Sequence, residues 1–355
     1  MGLLSPVCEF LVKEHKAQPL GPKVLFVSRQ TVPLTIDALH RLLARYDLKD
    51  ENTGPVEYDN DTRGAEGQRY VSDRYFMQAI GISEFESLDV TDYEGADIVW
   101  DLGQPIPEEY CGKYDFIYNG GCFDNMFNPG VALMNLSKLL RPGGRMVCME
   151  SAASFYSPYL MFSPGWFYDF YVSNNYAWCV VYVATFRTPE QLAHGPWDMQ
   201  YVNLPADPNG PAPEALNGDH LILLTCAQKG DDSTDTIQPV QAQYRTTQQM
   251  QDSFARKEAG LQQRARPLID GQRPPLSSNS YLIAVGKLGV DLGGAQEPGP
   301  MTVAQAMQKA MAHHLAGRLA VAENYYRVIL QVDPGNAEAK ESLELLLSQM
   351  RLQRS

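Results

Sequence analysis

The chain has 355 residues, 29 Lys and Arg against 42 Asp and Glu for a net charge of −13, and 44% hydrophobic residues. At about 150 residues per domain it holds about two domains, and this composition excludes a fully disordered chain or a disulfide-stapled miniprotein. The acidic balance argues against nucleic acid as a partner, because such binding needs clustered Lys and Arg that release counterions from phosphates.

Residues 1–22 form an N-terminal segment. Its start, MGLLSPVCEFLVKEHK, lacks a basic region before its short apolar stretch, unlike a secretory leader. Pro6 stands where a myristoylation signal carries Ser or Thr. No run approaches the roughly 18 consecutive apolar residues of a membrane span, so a cytoplasmic protein without a membrane partner is expected. The cysteines (Cys8, Cys111, Cys122, Cys148, Cys179 and Cys226) are widely separated, with no CxxC pair. They read as free, mostly buried thiols without a metal.

Residues 23–230 alternate short apolar runs with segments of helical period, the pattern of a parallel sheet wrapped by helices. Strands are expected at Val24–Ser28, Phe85–Asp89, Asp97–Asp101, Phe116–Gly120, Arg145–Glu150, Trp178–Phe186 and His220–Ala227. Thr35 is a plausible N-cap for a helix Ile36–Tyr46, whose Ile36, Leu39, Leu42 and Leu43 share one face. Pro129 and Gly130 open a second helix, Val131–Leu140, which Arg141-Pro142-Gly143-Gly144 stops. The stretch Gly195-Pro196-Trp197 reads as a lid over the site.

Residues 231–300 read as a linker holding a Gln-rich amphipathic segment, Gln241–Gln263, and a further edge strand at Tyr281–Val285. Residues 301–355 read as helical. Small residues at Ala310, Gly317 and Ala322, Tyr326 and Pro334 follow the pattern of one tetratricopeptide repeat, with a third helix at Ala337–Met350. One such repeat cannot cover its own apolar face, so this tail is expected to dock on the first domain or to mediate self-association or binding of a protein partner.

Ligands of an open parallel sheet gather beyond the carboxyl ends of its strands, where strand order reverses. Asp89 ends the second strand and suits two ribose hydroxyls. Asp101 and Leu102 follow the third, and Asn119, Gly120 and Gly121 end the fourth, where missing side chains let a ligand approach the backbone. Together with the segment YDFIYNGGCFDNMFNPGVALMNLSKLLRPGGRMVCME, Tyr114–Glu150, this order resembles the class I S-adenosylmethionine-dependent methyltransferases. The resemblance runs over about residues 23–228. It implies a Rossmann-like, mostly parallel seven-stranded α/β sheet with helices on both faces, beside a small all-α C-terminal hairpin.

It also implies S-adenosylmethionine as cofactor, with the ribose on Asp89, the adenine on Asp101 and Leu102, and the methionine moiety facing Asn119 and Gly120. One departure stands out: KVLFVSRQTVPLT has no glycine between Gly21 and Gly54, so the glycine-rich loop after the first strand is missing. The carboxylate end would fall to Ser28, Gln30 and Thr31 or to the helix start at Thr35. An open crevice requires Arg29 and Gln30 to stay clear of it.

Methyl transfer needs alignment and, for a protonated acceptor, a base. Asp124 in CFDNM and Glu150 at the end of the fifth strand are the catalytic candidates, although Asp124 equally suits a helix cap and Glu150 a pairing with Arg145. In Phe155–Tyr182, 12 of 28 residues are aromatic, enough to wall a pocket for a flat or apolar acceptor. Tyr156, Trp166, Tyr168 and Asn174 are the candidate contacts for a small-molecule or peptide-like acceptor. A second reading of the same features is a non-catalytic scaffold that binds protein through its tail.

Overall fold

The structure, a computed structural model, describes residues 2–153, 159–204, 220–263, 269–270, 282–289, 303, 306–307, 310–311, 314 and 319–352. The chain divides into two compact units, Met1–Leu292 and Gly293–Ser355.

The larger unit carries a nine-stranded mixed sheet. Its strands are β1 Lys23–Val27, β2 Glu84–Asp89, β3 Ile98–Val99, β4 Tyr114–Gly120, β5 Leu140–Ala153, β6 Trp178–Phe186, β7 Trp197–Val202, β8 His220–Gln228 and β9 Leu282–Leu288. They lie in the order β3-β2-β1-β4-β5-β8-β6-β7-β9. The run from β3 to β5 is parallel, and β8 inserts antiparallel between β5 and β6.

Alternation along the strands divides the core between two faces. In β1, Val24 and Phe26 join one apolar cluster, and Leu25 and Val27 the other. On the first face lie the helices α1 Ser5–Ala17, α2 Ile36–Arg45 and α3 Asp73–Ala79, contributing Val7, Phe10, Leu39, Leu42, Leu43 and Phe76. The second face is covered by α4 Pro129–Leu139 and α5 Pro164–Ser173 through Leu133, Leu136, Phe167 and Tyr171. Thr35 caps α2 as expected, accepting from the Ala38 amide at 3.3 Å.

Several expectations are corrected. The sheet has nine strands rather than seven. Trp197 is no lid: it starts β7 with its ring fully buried, after a short helix α6 Pro189–His194. Its neighbour on the outer side is β9, antiparallel to it. Arg145 does not meet Glu150 but reaches α1, donating to Glu14 Oε2 at 3.1 Å and to the carbonyls of Gln18 and Pro19. The Gln-rich segment forms α7, Gln248–Gln263, against α5, where Arg245 pairs with Asp169 at 2.8 Å and lies over Phe254.

In the smaller unit, helices Leu319–Val332 and Ala337–Leu352 pack around Ala310, Ala322, Tyr326, Ile329, Ala339 and Leu346. Gly317 lies outside the described residues.

Candidate functional site

Sheet order reverses between β1 and β4, so the crevice for a ligand lies past their carboxyl ends. Val27 pairs with both Leu88 and Asn119, which sets Ser28, Asp89 and Gly120 side by side at that edge. The Ser28 amide still donates to Leu88 O at 2.7 Å, but its φ is +62°. The backbone thus takes the left-handed turn that glycine adopts freely and that costs another residue about 1–2 kcal/mol.

That turn sends Gln30 back into the crevice. Its side chain donates from Nε2 to Val27 O at 2.7 Å, and the residue is 3% exposed. Its Oε1 lies so close to Gly120 that a Cβ there would meet it at 2.3 Å, and this buried oxygen has no hydrogen-bond partner among the described residues. Only glycine at 120 admits this side chain. Arg29 locks the segment: its guanidinium donates to Asp73 at 2.8 and 3.1 Å, and the Gln30 amide donates to the same carboxylate at 2.8 Å. Asp73 is fully buried at the start of α3. Desolvation pushes its pKa up, and the Arg29 hydrogen bonds and charge pull the other way.

Asp124 and Glu150 come together behind β4. Glu150 is fully buried and accepts from Asn119 Nδ2 at 2.6 Å and from the amides of Phe123 and Asp124 at 3.1 Å. Burial, then the neighbouring Asp124 charge, pushes its pKa up to about 8. Asp124 is 1% exposed and accepts from Ser151 Oγ at 2.7 Å and Asn125 Nδ2 at 2.8 Å. As arranged, these carboxyls hold the turn Phe123–Asn125 onto the end of β5; neither faces solvent. Cys122, close to Glu150, Asp89 and Asp124, has its thiol pushed up to about 12, chiefly by burial.

Asp89 is half-buried at the end of β2, and Asp101 is exposed beyond β3. Each uses one oxygen in a local turn, Asp89 with the Thr91 amide at 3.2 Å and Asp101 with the Gly103 amide at 2.8 Å. Leu102 turns inward, 4% exposed in the second-face core, so it offers no free face to an adenine.

Of the candidate acceptor contacts, Asn174 and Tyr168 are buried and already hydrogen-bonded. Asn174 is fully buried with both ends of its amide used, on Phe170, Thr234 and Ile237. Tyr168 is 6% exposed and donates to Glu258 on α7 at 3.1 Å. Trp166 is half-buried against Phe162, Phe167 and Phe123. Tyr156 lies outside the described residues.

Asp89 and Asp101 thus keep carboxylate oxygens free of side-chain partners among the described residues at this edge, whereas Gln30 covers Gly120, where the amino-acid half of an adenosyl ligand would lie. The Arg29–Asp73 pair escaped the sequence reading because its members are 44 residues apart. Gln30 did carry a signal: it stands in a loop without glycine.

No protein-family model matches the chain, the expected tetratricopeptide repeat included, and no curated protein matches it. Among solved structures it is similar to a SAM-dependent methyltransferase of Thermotoga maritima, described as a possible histamine N-methyltransferase. That match has 10% identity, covers 64% of this chain and 93% of that one, and has a TM-score of 0.33. It is also similar to 1,6-didemethyltoxoflavin-N1-methyltransferase of Burkholderia thailandensis, solved with S-adenosylhomocysteine, at 11% identity, 62% and 76% coverage and a TM-score of 0.31. A SAM-dependent methyltransferase of Aquifex aeolicus gives 12%, 64% and 90%, and 0.30. These neighbours are methyltransferases; at such identities and scores they lend this chain no residue roles.

Proposed function

We propose that the larger unit is a methyltransferase-type domain that takes an S-adenosyl ligand along Asp89 and Asp101 and that Gln30 holds its crevice closed in the ligand-free form. The observation that carries this reading is the edge itself: Asp89 beside Ser28 and Gly120 at the reversal between β1 and β4, where open α/β sheets receive their ligands. Asp89 and Asp101 would hold the ribose and the adenine amino group. Asn119, Asp124 and Glu150 act as positioning residues that brace the Phe123–Asn125 turn under the crevice, and Trp166 belongs to the acceptor side. When bound, the sulfonium would supply the methyl group; with Gln30 as it stands the amino-acid half is excluded, so no transfer step is assigned.

The buried Gln30 favours a second reading, a methyltransferase-like scaffold that has lost its cofactor and binds protein. Calorimetric titration with S-adenosylhomocysteine separates the two. Heat that is abolished by Asp89→Ala and Asp101→Ala supports the first; absence of heat for the parent and for Gln30→Ala alike supports the scaffold.

A further inference from the structure

The loops that leave the carboxyl ends of β2 to β5 have an uneven chemistry. From Asp89 to Asp101 the chain carries five carboxylates and no Lys, Arg or His, and between Met146 and Phe186 it again has no basic residue. Asp97 is neutralised by Arg74 at 3.0 Å, away from this edge at the start of β3. Asp92 has no ion-pair partner among the described residues; the Glu94 carboxylate accepts from the Arg63 amide at 3.0 Å, and the Glu94 carbonyl accepts from Arg29 Nη1 at 3.5 Å.

The same loops expose large apolar side chains. Val90 is 63% exposed, Tyr93 74%, Val99 52%, Phe127 95% and Tyr159 71%. Scattered singly such residues need no explanation, but a contiguous apolar rim does. They are carried by β3 and by the chain after β2, β4 and β5, four of the five neighbouring strands β3-β2-β1-β4-β5 of one sheet. At about 4.8 Å per strand the rim is about 19 Å wide. A small amine covers a fraction of that; an extended peptide of about six residues spans it.

At its centre, between β1 and β4, is the Gln30 carbonyl, 97% buried and lacking a donor. An acceptor left unpaired costs about 1–3 kcal/mol, which an N–H group brought by a ligand removes once the side chain turns outward. We infer that this edge is a docking surface for a basic, partly apolar polypeptide segment: Lys or Arg meets Asp92, Glu94 and the Gln30 carbonyl, and apolar residues lie on Tyr93, Phe127 and Tyr159. The inference shares the crevice with the proposed function but does not require the adenosyl ligand.

Fluorescence anisotropy on the full chain tests it with two labelled octapeptides, Lys alternating with Leu and Glu alternating with Leu. The Lys peptide is expected to bind at least about tenfold more tightly, and to weaken as NaCl rises from about 50 to about 300 mM. Asp92→Lys and the pair Tyr93→Ser with Phe127→Ser are each expected to weaken it at least about fivefold without moving the thermal transition, the latter by loss of aromatic anchors. Glu341→Lys, in the smaller unit, controls for attraction to net charge and is expected to leave affinity unchanged. Equal binding of both peptides, no binding, or loss matched by Glu341→Lys overturns the inference. Titration of the same preparation with S-adenosylhomocysteine keeps the two failures apart: nucleoside binding without peptide binding sinks only this inference, and the converse sinks only the proposed function.

Discussion

A glutamine carboxamide over Gly120 is a residue-scale fact with a residue-scale consequence. Gly120→Ala puts a methyl group where Gln30 Oε1 now lies, so it is expected to expel that side chain at a loss of about 1–3 kcal/mol, read from urea unfolding; an unchanged midpoint contradicts the packing. Arg29 and Asp73 form a buried pair, and removing one partner strands the other's charge. Arg29→Ala is therefore expected to lose about 3–5 kcal/mol, and the double variant with Asp73→Ala less than the sum of the singles. Glu150 contributes to the pH dependence of stability. Its folded pKa of about 8 lies above the unfolded carboxyl range near 4.3, so between these values the folded state keeps a proton that the unfolded state has lost. Its contribution is intact below about pH 4 and declines as pH rises to about 8. Glu150→Gln is expected to flatten unfolding midpoints measured at pH 5, 6, 7 and 8, each about one unit apart; a slope equal to the parent's contradicts that assignment.

At the scale of elements, strands whose apolar runs are buried on both faces were legible, and Trp178–Phe186 agrees to the residue. β7 was not, because Asp198 and Gln200 alternate with Trp197, Met199 and Tyr201 in only six residues. Helix α1 was missed for a different reason: polar Ser5, Glu9 and Glu14 are buried in it along with its apolar residues, so its polar positions do not mark a solvent face. Its anchor, Glu14 to Arg145, joins residues 131 apart, a separation at which no local pattern operates. Replacing Glu14 by Ala removes the carboxylate that faces the buried Arg145, and a loss of about 3 kcal/mol is expected in denaturant unfolding. A change under about 0.5 kcal/mol would show that the pair does not hold α1. In the candidate site, the ends of β2 and β4 were readable from their apolar runs. The side-chain directions of Leu102, Tyr168 and Asn174 were not, since these depend on packing between distant elements.

Across the whole molecule, the two units carry separate cores. The helices of the smaller unit expose Val328, Val332 and Leu345, apolar surface of the kind that seeks cover. Deleting residues 301–355 is expected to change oligomeric state or solubility in light scattering and to leave nucleoside affinity within the roughly tenfold span of 1.4 kcal/mol; an unchanged, soluble particle contradicts an assembly role. The acidic surface as a whole disfavours phosphorylated ligands, which agrees with a crevice lacking free cations among its described residues at Asp89 and Asp101. The central claim is that Gln30 closes a real adenosyl site rather than filling a vestigial one. Comparing the affinity of S-adenosylhomocysteine for the parent and for Gln30→Ala tests it most directly: the account predicts that the variant binds at least about tenfold more tightly, a gain of about 1.4 kcal/mol, and equal or weaker binding by the variant contradicts it.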